Sequence, residues 1–330
     1  MKKTAYLFLV AACAAFLPAS QKPGRPVHTY SIVAFDRASG ELGAAVQSHW
    51  FSVGSLVPWV EAEVGAVATQ SFVEPSYGPL GLELLRSGRS AEDALAGLVK
   101  ADKNESVRQV AMVDARGTAA AHTGGNCISE AGHFVGKGYS CQANMMLKST
   151  VWNAMARAFE NTGGELADRL VAALEAAESE GGDIRGRQSA AIIVVKGKSS
   201  GVWWKDRIYD LRVEDDPDPL AELKRLLKLN KAYNRMNRGD ELMTEDRIAE
   251  AVKEYSAAMD MFPENAEMIF WPAVTLASSG RVEESLPLFK KVFALDKNWA
   301  ILLPRLPSAG QFPKDRALMK KILSLAAPEK

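Results

Sequence analysis

Histidine, cysteine and surplus charge are what this sequence has least of. Its 330 residues hold four histidines (His28, His49, His122 and His133) and three cysteines (Cys13, Cys127 and Cys141). Neither His-Glu-x-x-His nor Cys-x-x-Cys occurs, so no metal is expected. The glycine pairs at 124–125, 163–164 and 181–182 lack the strand-then-helix spacing of a phosphate loop, so no nucleotide cofactor is expected. Lys plus Arg and Asp plus Glu number 40 each, a balance that creates no field for a nucleic acid partner. Beyond the first twenty residues no apolar run approaches 18, so no membrane span is expected.

What is present begins at the N-terminus. Lys2 and Lys3 precede an apolar run from Ala5 to Leu17 and then Pro18-Ala19-Ser20, the layout of a signal peptide over residues 1–20. The protein is therefore expected to be secreted or periplasmic. Val10-Ala11-Ala12-Cys13 offers an alternative, a lipoprotein anchored at Cys13. In an oxidising compartment Cys127 and Cys141 are expected to pair as a disulfide, with one of them acting as a nucleophile as the alternative.

Residues 29–36 and 41–48 are rich in β-branched, aromatic and small apolar types around Ala38-Ser39-Gly40, which predicts an opening β-hairpin. A third strand is expected over 64–70. Helices follow at 77–87 and after Ser90, which stands three residues before Asp93 as an N-cap. A second hairpin, 107–113 with 118–123, precedes helices at about 150–161 and 165–179, and strands at 189–195 and 207–213. Strands in antiparallel pairs and helices in pairs disfavour a parallel βαβ sheet. They favour an α+β fold, a four-layer αββα sandwich.

After Asp215-Asp216-Pro217-Asp218-Pro219, read as a linker, the chain is expected to be helical over 220–330. It repeats at 34 residues: Ile248, Ala251, Val252, Tyr255 and Ala258 align with Val282, Ser285, Leu286, Phe289 and Val292. That period matches tetratricopeptide helix pairs, and Gly239 and Pro263 fit the pattern. Pro287 falls inside a helix and should cap or kink it. Two repeats and a cap leave little groove, so the region is read as a docking or self-association module, with packing alone as the alternative. Trp203-Trp204 adds a second candidate for self-association.

Small polar residues form a set: Gln47-Ser48, Thr69-Gln70-Ser71, Gln142 and Asn144, at strand ends or in loops beside apolar strands, and Arg187-Gln188-Ser189 apart from these. Singly each can satisfy backbone groups; as a set they read as a lined pocket. His133, in Ala131-Gly132-His133, is a further candidate.

Several segments carry a family resemblance. Thr29-Tyr30-Ser31-Ile32-Val33-Ala34, Gly43-Ala44-Ala45-Val46-Gln47-Ser48, Val53-Gly54-Ser55 through Pro58-Trp59, Pro75-Ser76-Tyr77-Gly78-Pro79, Arg187-Gln188-Ser189-Ala190 and Asp210-Leu211-Arg212-Val213 resemble the domain of unknown function 1028 (DUF1028) over about residues 28–219. The resemblance implies the αββα fold of the N-terminal-nucleophile (Ntn) hydrolases, with residues 21–28 as a leader and 29–219 as the hydrolase-like domain. It implies Thr29 as nucleophile, its own α-amine as base, and Gln47 and Gln70 beside it, with Gln70 an oxyanion donor. Ser48, His133, Gln142, Asn144, Arg187 and Ser189 would contact substrate, a small amide or peptide. No Lys or Arg stands between Arg37 and Arg86. The cation that proteasome-type members place near the nucleophile would therefore have to be Arg187. A cut after His28 is required. Without it, the fold serves as a non-catalytic ligand-binding scaffold with a helical docking module.

Overall fold

The computed structural model describes residues 29–326. The expected signal peptide, the leader at 21–28 and the alternative anchor Cys13 lie outside the described residues.

Two antiparallel sheets organise the first two thirds of the chain. One has six strands in the order β10-β9-β2-β1-β8-β7, formed by β1 (Thr29–Phe35), β2 (Leu42–Ser48), β7 (Gly132–Gly136), β8 (Tyr139–Ala143), β9 (Ser189–Val195) and β10 (Arg207–Val213). The other is β3-β4-β5-β6, formed by β3 (Pro58–Glu61), β4 (Gly65–Ser71), β5 (Arg108–Asp114) and β6 (Ala119–Thr123). Strand alternation sorts the side chains. Val33, Ala44, Val46, Ala191 and Ile193 face Ala66, Ala68, Ala111 and Val113 of the second sheet. Tyr30, Ile32 and Ala34 face the other way, onto α3 (Val151–Asn161) and α4 (Leu166–Ser179). On the outer face of the four-stranded sheet, Val67, Val110 and Met112 meet α1 (Tyr77–Arg86) and α2 (Ala91–Ala101). The Ser90 hydroxyl caps α2, accepting from Asp93 N–H at 3.1 Å.

Each helix covers its sheet because its sheet-facing positions are apolar. In α4 these are Leu166, Leu170, Val171, Leu174 and Ala177, all buried. Burying each of the larger ones contributes about 1.5–3 kcal/mol. The fold is mixed α+β.

Residues 215–219 are not a free spacer. Asp216 N–H donates to Gln188 O at 2.8 Å and Gln188 Nε2 to Asp215 at 3.1 Å, and α6 (Pro219–Thr244) follows at once. Proline suits that first turn because its missing N–H would have no helical partner there. The first half of α6 buries Leu220, Leu223 and Leu227 against the six-stranded sheet and α4. Its second half buries Ala232, Met236 and Leu242 against α7 (Ile248–Met261). Lys231 ties α6 to Asp168 of α4 at 2.8 Å. Gly239 is required at the α6–α7 contact: a Cβ there would sit 2.3 Å from the Tyr255 ring. α8 (Ala266–Ser278), α9 (Val282–Leu295), α10 (Asn298–Leu302) and α11 (Arg316–Leu323) complete the C-terminal helical region. Pro287 does not end α9, which runs on for eight residues beyond it; the proline removes one backbone bond, and Phe289, Val292 and Phe293 bury the helix beyond it.

The disulfide between Cys127 and Cys141 does not form; both are free thiols. Cys141 points from β8 into the core beneath α3 and α4. Cys127 lies in the loop before β7, with Sγ donating to Arg108 O of the other sheet at 3.4 Å. The two side chains therefore leave the six-stranded sheet region in opposite directions. Burial pushes both thiol pKa values up, so neither suits a resting nucleophile. Reductant is accordingly expected to shift the Tm by less than about 1 °C, where loss of a disulfide would remove about 3 kcal/mol. Differential scanning calorimetry with and without dithiothreitol checks this.

Candidate functional site

At one end of the sheets, apolar packing gives way to hydroxyls and amides. Register places Thr29 of β1 opposite Ser48 of β2, and Ser48 opposite Ser189 of β9. The Thr29 hydroxyl donates to Ser48 Oγ at 3.1 Å. The Thr29 carbonyl accepts from Gln70 Nε2 at 3.0 Å, Asn144 N–H at 3.1 Å and Asn144 Nδ2 at 3.4 Å. The first residue of β1 is thus fixed through both its side chain and its carbonyl.

Those donors belong to a larger network between the sheets. Ser31 Oγ donates to Gln70 Oε1 at 2.7 Å, and Gln142 Nε2 reaches Ser31 Oγ at 3.1 Å and Ala68 O at 3.0 Å. Gln109, opposite Gln70 on β5, is the hub. Its Oε1 accepts from Gln70 Nε2 at 2.7 Å and Asn144 Nδ2 at 2.8 Å. Its Nε2 lies 2.9 Å from Ala143 O, 3.0 Å from Thr123 Oγ1 and 3.2 Å from Gly132 O. Thr29, Ser31, Ser48, Gln70, Gln109, Gln142 and Asn144 are all fully buried, and none carries a charge. In so dry a setting pairing offsets most of the cost of burying neutral amides; within this cluster Gln142 Oε1 is buried with no hydrogen-bond partner among the described residues.

A second, charged cluster occupies the helix-facing side of the same strand ends. Glu178 of α4 accepts from Tyr30 Oη at 2.5 Å and Gln47 Nε2 at 2.8 Å through Oε2, and from Arg187 Nε at 2.6 Å through Oε1. Arg187 also lies 3.5 Å from Asp218. Burial, reinforced by the Glu178 charge, pushes the Tyr30 phenol pKa well up, so Tyr30 remains a neutral donor.

The structure therefore gathers five of the candidates: Thr29, Ser48, Gln70, Gln142 and Asn144. Gln70 cannot serve as an oxyanion donor in this state, because its amide is engaged with the Thr29 carbonyl, Gln109 and Ser31. Gln47 and Arg187 stand on the other face with Glu178, and the Arg187 fork is already paired. Ser189 pins the loop after β2, accepting from Val53 N–H at 3.1 Å and donating to Trp50 O. His133, exposed on β7, joins only at the periphery, 2.8 Å from Thr123 Oγ1.

Gln109 and Glu178 are the residues that sequence reasoning missed. Each had a signal: a polar side chain at an inward position of an otherwise apolar strand, and an acid in register with the apolar stripe of α4. One motif match lies outside the cluster. Gly197-Lys198-Ser199-Ser200-Gly201 fits Gly-x-Ser-x-Gly, but Ser199 Oγ donates to Asp206 Oδ2 at 2.8 Å. The histidines of the described residues bond elsewhere, to Arg187 O, Glu105 O and Thr123, so no Ser–His pair forms. Among the described residues, no three His, Cys, Asp or Glu side chains gather as metal ligands.

Comparison with known proteins identifies the family. The model of a family of unknown function, DUF1028, matches residues 29–223 and so begins on Thr29 itself. The chain belongs to the DUF1028 family. A crystal structure of the DUF1028 protein SPO2555 from Silicibacter pomeroyi is similar, with 29% identity and a TM-score of 0.55, covering 61% of this chain and 88% of that one. A search of curated proteins finds no match. In this DUF1028 chain, α7 to α11 lie beyond the family match.

Proposed function

We propose that this DUF1028 protein is an exported Ntn-type hydrolase of a small amide or peptide, with Thr29 as nucleophile once the chain is cut after His28. The observation that carries the reading is the fixation of Thr29 at the head of β1: its hydroxyl is held by Ser48 and its carbonyl by Gln70 and Asn144. The start of the family match on Thr29 supports it. So does the packing of helix pair, sheet, sheet and helix pair, which we read as an αββα sandwich of Ntn type.

In this mechanism the free α-amine takes the Thr29 hydroxyl proton as Oγ1 attacks the amide carbonyl. The tetrahedral intermediate collapses, the C–N bond breaks, and the leaving amine takes the proton from the ammonium. Water then attacks the ester with the same amine as base, releasing the acid and returning the proton to Oγ1. Gln70 and Asn144 act as clamps on the Thr29 backbone, which holds hydroxyl and amine in attacking geometry. Arg187 is neutralised by Glu178, so it does not anchor a substrate carboxylate.

The C-terminal helices are read as a tetratricopeptide-like docking module, on the burial of Gly239, Ala251, Tyr255 and Ala258 at the α6–α7 contact. A second reading, a ligand-holding scaffold without catalysis, is favoured by the complete burial of Thr29 in the uncut chain. The N-terminus of the exported protein separates the two. Intact-mass spectrometry is expected to give a chain beginning at Thr29; a uniform start at Gln21 supports the scaffold instead.

A further inference from the structure

A cavity of about 500 Å³ opens on the far side of the molecule, where the six-stranded sheet extends past the four-stranded one. We propose that it is a second binding site, for a small molecule that carries a ring and a carboxylate.

The cavity is a consequence of unequal sheets. β3 is the edge of the four-stranded sheet and packs on β2 and β9, so β10 overhangs with no strand facing it. On β10, Tyr209, Leu211 and Val213 face the helices, which leaves Asp210 and Arg212 on the overhanging face. A β-bulge falls between Arg207 and Tyr209. Its extra residue, Ile208, packs with the helix-side core, and Arg207 is thereby turned onto the same face as Asp210 and Arg212. Bulges re-aim side chains in this way beside binding sites. Gly54 lets its turn lie close against this wall: a Cβ there would lie 2.6 Å from Ala191 Cβ and 3.2 Å from Arg212 Cγ.

Arg212 is the donor with capacity to spare, since only its Nε is hydrogen-bonded among the described residues. Arg207 forms an ion pair with Asp210, and Arg212 Nε donates to the same carboxylate at 3.3 Å. Two guanidinium groups share one acid. Of the other acids on the wall, Glu61 pairs with Arg86, while Asp206 keeps its charge and is held by neutral donors, Ser199 Oγ and Ser200 N–H, each at 2.8 Å; the wall is thus balanced overall, and the anion site is the Arg212 fork rather than a positive field. Burial, together with the like charge of Arg212, lowers the Arg207 pKa, a tension that a bound anion relieves. A carboxylate matches a guanidinium fork geometrically.

The remaining wall is apolar or aromatic, from Pro58, Trp59, Val60, Leu82, Ile193 and Val195. At the mouth Trp203 is 63% exposed, with the Arg207 guanidinium 4.9 Å from its ring centre. A ring on the ligand would stack there and shield an otherwise costly exposed indole. The volume suits a small-molecule pocket. Thr29 is not involved: Ile193 and Val195 lie four and six residues along β9 from Ser189, about 13–20 Å at strand rise.

The test is calorimetric titration of the full chain with 3-phenylpropionate and with its neutral match, 3-phenylpropionamide. The acid is expected to bind saturably and at least about 10-fold more tightly than the amide. Arg212→Gln is expected to weaken the acid by a similar factor, and Trp203→Ala, an exposed site that should not disturb folding, by several-fold. Equal binding of acid and amide overturns the proposal, as does no saturable binding. If Arg212→Gln fails to fold, undiminished binding by Trp203→Ala overturns it equally.

Discussion

Thr29→Ala is expected to lower amide hydrolysis by on the order of 10³ or more across a panel of acyl-amino acids and dipeptides, the scale of removing a nucleophile, whereas Thr29→Ser keeps a measurable rate. The fold should survive both changes. The lost hydroxyl donates to Ser48 Oγ, and a typical bond of this kind contributes about 0.5–1.5 kcal/mol net. The carbonyl clamp from Gln70 and Asn144 is untouched, because it grips the backbone. The contrast between Ala and Ser isolates the hydroxyl from β-strand propensity, since neither is β-branched. Unchanged hydrolysis by Thr29→Ala removes the nucleophile assignment.

Gln109→Leu is expected to destabilise the protein by about 3–5 kcal/mol. The side chains are similar in volume, so cavity formation is a minor effect. The cost comes from the partners left behind. Gln70 Nε2 and Asn144 Nδ2 lose their shared acceptor, and Ala143 O, Thr123 Oγ1 and Gly132 O lose a donor, all near the dry inter-sheet layer. Each buried polar group left unpaired costs about 1–3 kcal/mol, and neighbouring losses add imperfectly. At about 2–4 °C per kcal/mol for a domain of this size, the Tm should fall by roughly 10 °C. Gln188→Leu, which removes one exposed side-chain bond to Asp215, is expected to stay within about 0.5 kcal/mol. A Gln109→Leu protein as stable as the native one contradicts the role of the network as the fixture of Thr29.

The elements that sequence reasoning found are those with strong local signals. The β1–β2 hairpin has β-branched, aromatic and small apolar runs around a Ser-Gly turn, α2 has its Ser90 cap, and α3 and α4 have apolar stripes. The strands that escaped lack such signals. β3 has four residues and starts on Pro58, tolerable because it is an edge strand. β7 and β8 are punctuated by Gly132, Gly136 and Gly138, so the stretch reads as loop and His133 as a loop residue. That misreading matters, because β8 is what carries Gln142 to the cluster. Within the site, Gln70 was legible as a polar residue at a strand end, Gln142 and Asn144 as polar residues of a loop, and Thr29 through the family resemblance. Their convergence on one carbonyl was not, because it depends on register between two sheets. Gln109 meets Gln70 only because β4 and β5 pair where they do. Ser189 stands opposite Ser48 on the same face, but its hydroxyl is engaged with Val53 N–H and Trp50 O, and Glu178 holds Arg187 on the helix side. The free thiols follow the same logic: an oxidising compartment suggested a bridge, and opposite side-chain directions prevent it.

The central claim is that one residue, Thr29, supplies both hydroxyl and amine. The most direct measurement treats the protein as recovered after export, with its C-terminal helices, with a peptidyl epoxyketone and maps the adduct by mass spectrometry. In this reagent the hydroxyl adds to the ketone and an amine opens the epoxide, so a six-membered ring closes only when both groups belong to the same terminal residue. The predicted result is a ring adduct confined to the peptide that begins with Thr29. A chain that begins at Thr29 yet takes up no reagent there, or one in which Thr29 remains in amide linkage to His28, contradicts the account.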